Sequence, residues 1–94
     1  MKQVLWYLIA GTRGGETRAR LIQAIRSKPA NANQLAISLK LDYKTIQHHL
    51  EILVENNVFT AINKGKYGAV YFLSKELEQN WMDFEGIWKQ FGKK

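Results

Sequence analysis

The chain has 94 residues, of which 46% are hydrophobic and 23% charged, the balance of one globular domain. The absence of cysteine excludes disulfides, thiolate metal sites and a thiol nucleophile. The formal net charge of +6 lies wholly in residues 1–72, because residues 73–94 hold four basic and four acidic side chains, and this local excess favours a polyanionic partner.

The first element is the apolar run "VLWYLIA", residues 4–10, within an N-terminal segment of residues 1–12. The run is far shorter than the ~20 residues that cross a bilayer. It is followed by "GTRGGETR" and not by the small-residue cleavage site of a signal peptide. We therefore expect a soluble cytoplasmic protein, with a flexible joint before its first core helix.

Two helices follow in chain order. "ETRARLIQAIRSK", residues 16–28, has hydrophobic residues at helical spacing, and Pro29 ends it. "NANQLAISLK", residues 31–40, predicts a second helix capped by Asn31, with Gln34 placed for a capping box. The side chains expected to face the core are Leu21, Ile22, Ile25, Leu35, Ala36 and Leu39.

The third helix is predicted from "DYKTIQHHLEILVENN", with Asp42 as its N-cap and Asn57 at its end. Its buried stripe consists of Ile46, Leu50 and Leu53. "VFTAIN" and "AVYFL" are then typical of two strands joined by the basic loop "KGKYG". Ser74 is predicted to cap a final helix that runs to about Phe91.

Two helices joined by the short "KLD" turn and followed by a basic hairpin predict a winged helix-turn-helix. The stretch "NANQLAISLKLDYKTIQHHLEILVENNVF" with this hairpin resembles the ArsR-type winged-helix transcription regulators, especially small archaeal members, over about residues 15–73. The expected fold is mainly α with a small β-hairpin, as one domain over residues 1–94. Lys40 departs from the family pattern, which usually has glycine after the second helix.

The fold's docking geometry places the recognition helix, residues 42–56, in the major groove and the wing, residues 63–69, on the DNA backbone. Gln47 can pair with adenine, and Lys44 and His48 can donate to guanine or phosphate. The residues predicted to bind DNA are Tyr43, Lys44, Thr45, Gln47, His48, Lys64, Lys66 and Tyr67.

The adjacent His48 and His49 are the only histidines of the chain. On a helical wheel His49 lies beside the apolar stripe and His48 on the opposite, exposed face, so the two rings cannot share a metal ion. The resembled family includes metal sensors, but their cysteine ligands and the histidines of their last helix are absent here. We expect no metal and no cofactor.

The last helix carries large apolar side chains at alternating spacings of four and three residues, which is a heptad repeat. These side chains include more aromatic rings than the core of one small domain can bury. We expect residues 74–91 and the N-terminal segment of two chains to cover one another in a homodimer, as in the resembled family. The predicted interface residues are Leu5, Trp6, Leu8, Leu77, Trp81, Phe84, Trp88 and Phe91.

The leading interpretation is a homodimeric, sequence-specific regulator of transcription that binds double-stranded DNA. The alternative is a winged-helix module for protein contacts that uses the aromatic last helix without specific DNA readout. An RNA-binding winged helix ranks third. Enzyme activity is not expected, because the chain offers no nucleophile beside a positioned base.

Overall fold

The computed structural model describes residues 1–63 and 68–91. The helices are α1 (Lys2–Leu5), continued by a π-helical segment (Trp6–Ala10), then α2 (Gly15–Ser27), α3 (Ala32–Leu39), α4 (Tyr43–Glu55), α5 (Lys75–Gln79) and α6 (Trp81–Phe91). The strands are β1 (Ala30–Asn31), β2 (Phe59–Asn63) and β3 (Ala69–Leu73). This order confirms the mainly α winged helix-turn-helix with an apolar N-terminal segment and additional C-terminal helix.

The predicted N-caps are all formed. The Asn31 side chain accepts from the Gln34 backbone N–H at 2.8 Å, and Gln34 accepts in return from the Asn31 N–H at 2.9 Å, which completes the capping box. The Asp42 carboxylate accepts from the third N–H of α4 at 3.2 Å, and the Ser74 hydroxyl accepts from the third N–H of α5 at 2.9 Å. Local sequence therefore determines where three helices begin.

The turn between α3 and α4 has the left-handed residue at the position where the sequence lacks glycine. Lys40 has φ 58° and ψ 46°, and the N–H of the next residue, Leu41, donates to the Ala36 carbonyl at 3.0 Å. This is the hydrogen-bond pattern of a Schellman C-cap, which usually has glycine in its left-handed position. The backbone of Lys40 is therefore strained, because a residue with a Cβ occupies this left-handed position.

The sheet has one strand more than the predicted hairpin. Its antiparallel order is β1-β3-β2, with the hairpin paired from Phe59↔Leu73 to Asn63↔Ala69. Strand β1 pairs Ala30 with Tyr71, on the other edge of β3. A two-residue strand has no periodicity of its own, so tertiary pairing and not a local pattern creates it.

The single C-terminal helix predicted over residues 74–91 is wrong, since α5 and α6 are separate helices. Asn80 interrupts them with φ −114° and ψ 27°. Its side-chain amide donates to the Glu76 carbonyl at 2.9 Å, a local hydrogen bond by which asparagine competes with a continuous helix. The predicted heptad repeat is thus divided between two helices.

The core lies between the helix-turn-helix, the N-terminal segment and α6, and α6 packs against α1 and the π-helical segment. The predicted stripes of α2 and α4 are buried in it. No helix among the described residues is long and apolar enough to cross a membrane. The N-terminal apolar run is instead a helix whose inner side chains, Leu5 and Leu8, are fully buried.

Candidate nucleic-acid interface

The first two turns of α4 present a polar face. Tyr43, Lys44, Thr45 and His48 are exposed, whereas Gln47 is half-buried. The capped N-terminus at Asp42 fixes where this face begins, and the apolar stripe on the other side of α4 fixes its direction. The five predicted contact residues of α4 therefore lie on one accessible surface.

Gln47 is half-buried because it lines a groove between α3, α4 and the start of β3, near the loop end of the hairpin. The groove has a volume of about 240 Å³, and its lining residues are Asn31, Ala32, Asn33, Tyr43, Gln47, Gly68, Ala69 and Tyr71. Burial raises the pKa of the Tyr71 hydroxyl, with smaller contributions from Tyr43 and Glu51. Tyr71 thus stays a neutral hydrogen-bonding group beside Gln47.

Sequence reasoning missed Tyr71 and Asn33 at this groove. Tyr71 occupies the centre of β3, and its pairing with Ala30 was not predicted. Alternation in "AVYFL" places Tyr71 on one face with Ala69, which was an available signal. The predicted wing residues Lys64, Lys66 and Tyr67 lie outside the described residues, so their contacts stay predictions.

The two histidines occupy different environments, as expected from the helical wheel. His48 is exposed, whereas His49 is 8% exposed, and their ring centroids are 5.4 Å apart. Burial lowers the pKa of His49, and the charges of Arg18 and His48 lower it further. In residues 1–63 and 68–91, no three histidine or acidic side chains cluster as metal ligands would.

Arg18 is a buried cation that the sequence analysis did not single out. It is 4% exposed and donates to the Leu8 carbonyl at 2.8 Å and to the Arg13 carbonyl at 2.9 Å. It also donates to the Thr12 hydroxyl and, at 3.1 Å, to Nδ1 of His49. Helical spacing from Leu21, Ile22 and Ile25 was the available signal, because it places position 18 on the buried stripe.

Half of the residues predicted for the dimer interface are covered within their own chain. The fully buried ones are Leu5, Leu8, Leu77 and Phe84. Their side chains are not available to a partner without a rearrangement of the core. Ile87, absent from the predicted repeat, is also buried, because α6 turns Phe84 and Ile87 inward together.

The other four predicted interface residues are partly exposed aromatic side chains. Trp6 contacts Phe91 edge to face, with ring centroids 4.5 Å apart, and the two residues are 36% and 41% exposed. Trp81 and Trp88 are half-buried, and the Arg26 guanidinium lies 4.1 Å above the Trp81 ring. Trp6 of the π-helical segment and Phe91 of α6 thus remain partly open to solvent.

Several known structures that share this fold are described as transcriptional regulators. The transcriptional regulator BldR from Sulfolobus solfataricus aligns with a TM-score of 0.72 and 12% identity over 95% of this chain and 66% of BldR. The reduced transcriptional regulator YodB from B. subtilis aligns with a TM-score of 0.65 and 14% identity over 93% and 88% of the two chains.

A mutant of Lactococcus lactis ZitR aligns with a TM-score of 0.60 and 12% identity over 80% of this chain. The chain spans 60% of the length of ZitR, and 66% of BldR, so a third or more of each has no counterpart here. At these identities the alignments show a shared fold. No curated protein sequence matches the chain.

The sequence match to a family covers the elements that carry the interface. Residues 15–58 match the profile of the family described as bacterial regulatory proteins of the arsR family. The matched segment begins with α2 and ends after α4, so it contains the complete helix-turn-helix. Residues 15–58 are therefore similar to the arsR family of bacterial regulatory proteins, within a chain that folds as a winged helix.

Proposed function

We propose that the protein is a homodimeric, sequence-specific regulator of transcription that binds double-stranded DNA. The observation that supports this most is the exposed polar face of α4 in a helix-turn-helix similar to the arsR family. A recognition helix reads bases with residues of its first turns, which here are Lys44, Gln47 and His48. Such a protein acts where the DNA is, in the cytoplasm.

The distribution of charge along α4 indicates that its N-terminal half enters the major groove of the DNA. Lys44 and His48 lie in the first two turns, whereas Glu51 and Glu55 are exposed further along. Phosphates repel these carboxylates, so the helix would tilt away from the duplex after His48. Lys64 and Lys66 of the wing would then neutralise phosphates on the flanking backbone.

The dimer part of the proposal rests on the partly exposed aromatic pair that the π-helical segment and α6 form. Trp6 and Phe91 stay partly exposed although both pack on one another. Aromatic side chains of this kind are enriched at the centre of protein interfaces. A twofold axis beside them would pair two recognition helices, which suits an inverted repeat with half-sites about 34 Å apart.

The experiment is selection of duplexes from a random pool, followed by titration of the selected duplex and a scrambled duplex at several salt concentrations. We expect an inverted-repeat consensus and an affinity that falls with salt for both duplexes, because phosphate contacts release counterions. Equal affinity for both duplexes would contradict specific readout. Failure to bind either would favour the protein-contact module.

A further inference from the structure

We propose that Arg18 is a positioning residue that sets the orientation of the recognition helix through His49, and that this coupling is released when His49 becomes protonated. The inference rests on the proposed function, because the orientation of α4 matters only if α4 reads DNA. It concerns a residue of α2 that lies outside the exposed DNA-facing surface.

The first step is the number of segments that Arg18 joins. It stands on α2, and its guanidinium donates to the Leu8 carbonyl, to Thr12 and Arg13 of the following loop, and to His49 of α4. A guanidinium is a planar fork, so these acceptors constrain one another's positions. Arg18 therefore fixes the N-terminal segment, α2 and α4 relative to one another.

The second step is what fixes α4. Its apolar stripe packs into the core, but hydrophobic packing is not directional and permits small rotations about the helix axis. The hydrogen bond from Arg18 Nη1 to His49 Nδ1 is directional and restrains that rotation. His48 is the adjacent residue and Gln47 the one before it, so their direction follows from this restraint.

The third step is the protonation state that the bond requires. A guanidinium can only donate, so Nδ1 of His49 must carry no proton. No carboxylate in residues 1–63 and 68–91 forms an ion pair with Arg18. The titratable or charged groups near His49 are Arg18, its neighbour His48, and the residues that line the adjoining groove, namely Tyr7, Arg13 and Glu55.

Protonated His49 would thus lose its role as acceptor and place a second positive charge beside the buried guanidinium. Burial lowers the pKa of His49, and the electrostatic effects of Arg18 and His48 lower it further, so the neutral, coupled form prevails at neutral pH. Acidification favours the form in which Arg18 and His49 repel one another. Because Arg18 also holds the N-terminal segment, the same event loosens a part of the proposed dimer surface.

Two substitutions of His49 separate the loss of the hydrogen-bond acceptor from the change in protonation state. His49→Asn places an amide oxygen close to the position of Nδ1, so it keeps an acceptor that does not titrate. His49→Leu removes the acceptor. The measured quantity is the ratio of affinities for the preferred and scrambled duplexes, between about pH 7.5 and pH 5.5, where histidine changes its charge.

At neutral pH we expect the ratio of His49→Asn to equal that of the wild type, and the ratio of His49→Leu to be about tenfold lower. On acidification the ratio should fall more steeply for the wild type than for His49→Asn, because only the wild type loses its hydrogen-bond acceptor at position 49. Equal pH profiles in the two proteins, or an unchanged ratio in His49→Leu, would overturn the inference.

Amide hydrogen exchange without DNA tests the coupling by itself. We expect His49→Leu to accelerate exchange in residues 2–14 and in α4 together, and His49→Asn to restore slow exchange in both. If the wild type binds no duplex, the proposed function fails, and exchange still decides whether the coupling exists. Acceleration confined to α4 would contradict a junction through Arg18.

Discussion

Nδ1 of His49 lies 3.1 Å from Nη1 of Arg18, a residue 31 positions earlier in the chain. This bond joins the recognition helix to a guanidinium whose other acceptors belong to the N-terminal segment and the loop after it. A neutral histidine is a structural requirement at this point of the fold. The stability of the protein should therefore depend on the protonation of His49.

Acid should destabilise the fold through His49. An unfolded histidine titrates near pH 6.5, and burial beside Arg18 lowers the pKa of His49 in the folded state. The unfolded state then binds more protons, so the stabilisation is complete above about pH 6.5 and is lost as the pH falls towards the folded pKa. Urea unfolding at several pH values should show this slope in the wild type and a smaller one in His49→Asn. Identical slopes would refute the assignment to His49.

Replacement of Gly14 should destabilise the same junction. Gly14 has φ +87°, and a Cβ there would lie 2.7 Å from Cε1 of His49, whose ring is held by its hydrogen bond from Arg18. We expect Gly14→Ala to lower the free energy of unfolding by about 2 kcal/mol or more. Gly68→Ala is the control, because Gly68 has φ +80° but no atom of residues 1–63 and 68–91 lies within 4 Å of the added Cβ. If Gly14→Ala lowers the free energy of unfolding no more than Gly68→Ala does, the His49 ring can move aside without cost.

The sequence predicted the parts of the fold that depend on neighbouring residues. The caps at Asn31, Asp42 and Ser74 act through hydrogen bonds that close within three residues, so local spacing is enough to find them. The break at Asn80 was also local but was outweighed by a strong heptad pattern. Strand β1 was missed because it depends on pairing with β3.

The site was predicted less completely than the fold for the same reason. Helical periodicity correctly placed His48 outside and His49 inside. It could not show which groups satisfy a buried arginine, because the acceptors of Arg18 come from another segment and from α4. The heptad pattern also could not show which apolar residues are in the core and which are on the surface. Phe84 and Phe91 belong to the same repeat, but only Phe84 is fully buried.

Lys40→Gly should stabilise the protein. Lys40 is exposed and left-handed, with φ 58°, in the turn between α3 and α4. Glycine adopts this conformation without the clash of a Cβ, and we expect a gain of about 1 kcal/mol in the free energy of unfolding. The matched control is Lys44→Gly, in the helical first turn of α4, which should cost about 1 kcal/mol. Destabilisation by Lys40→Gly would mean that the lysine side chain itself supports the turn.

Base readout and phosphate binding should separate by mutation. Gln47→Ala or His48→Ala should each cost about 1–3 kcal/mol on the selected duplex and relax the choice of base at one or two positions. Replacing both Lys64 and Lys66 by alanine should weaken all duplexes alike and reduce the salt dependence. Repeated selection with each variant measures the consensus. An altered consensus in the lysine variant, with none in the α4 variants, would contradict the proposed recognition face.

The last prediction concerns assembly, because it decides whether one or two copies of α4 meet the DNA. Phe91→Glu places a charge beside Trp6, where the π-helical segment packs against α6. A buried, unpaired carboxylate is costly at an interface, so we expect a folded monomer whose DNA affinity falls towards the non-specific level. Met82→Glu is the matched control, since Met82 is 76% exposed and lies about 180° from Phe91 around α6.

Sedimentation should show a dimer for the wild type and Met82→Glu and a monomer for Phe91→Glu, with circular dichroism to confirm that all three are folded. Loss of the dimer in Met82→Glu but not in Phe91→Glu would place the interface on the opposite face of α6. A wild type that is monomeric at micromolar concentrations would leave one α4 per complex. In that case the selected DNA site should contain a single half-site, because only a twofold pair of recognition helices requires an inverted repeat.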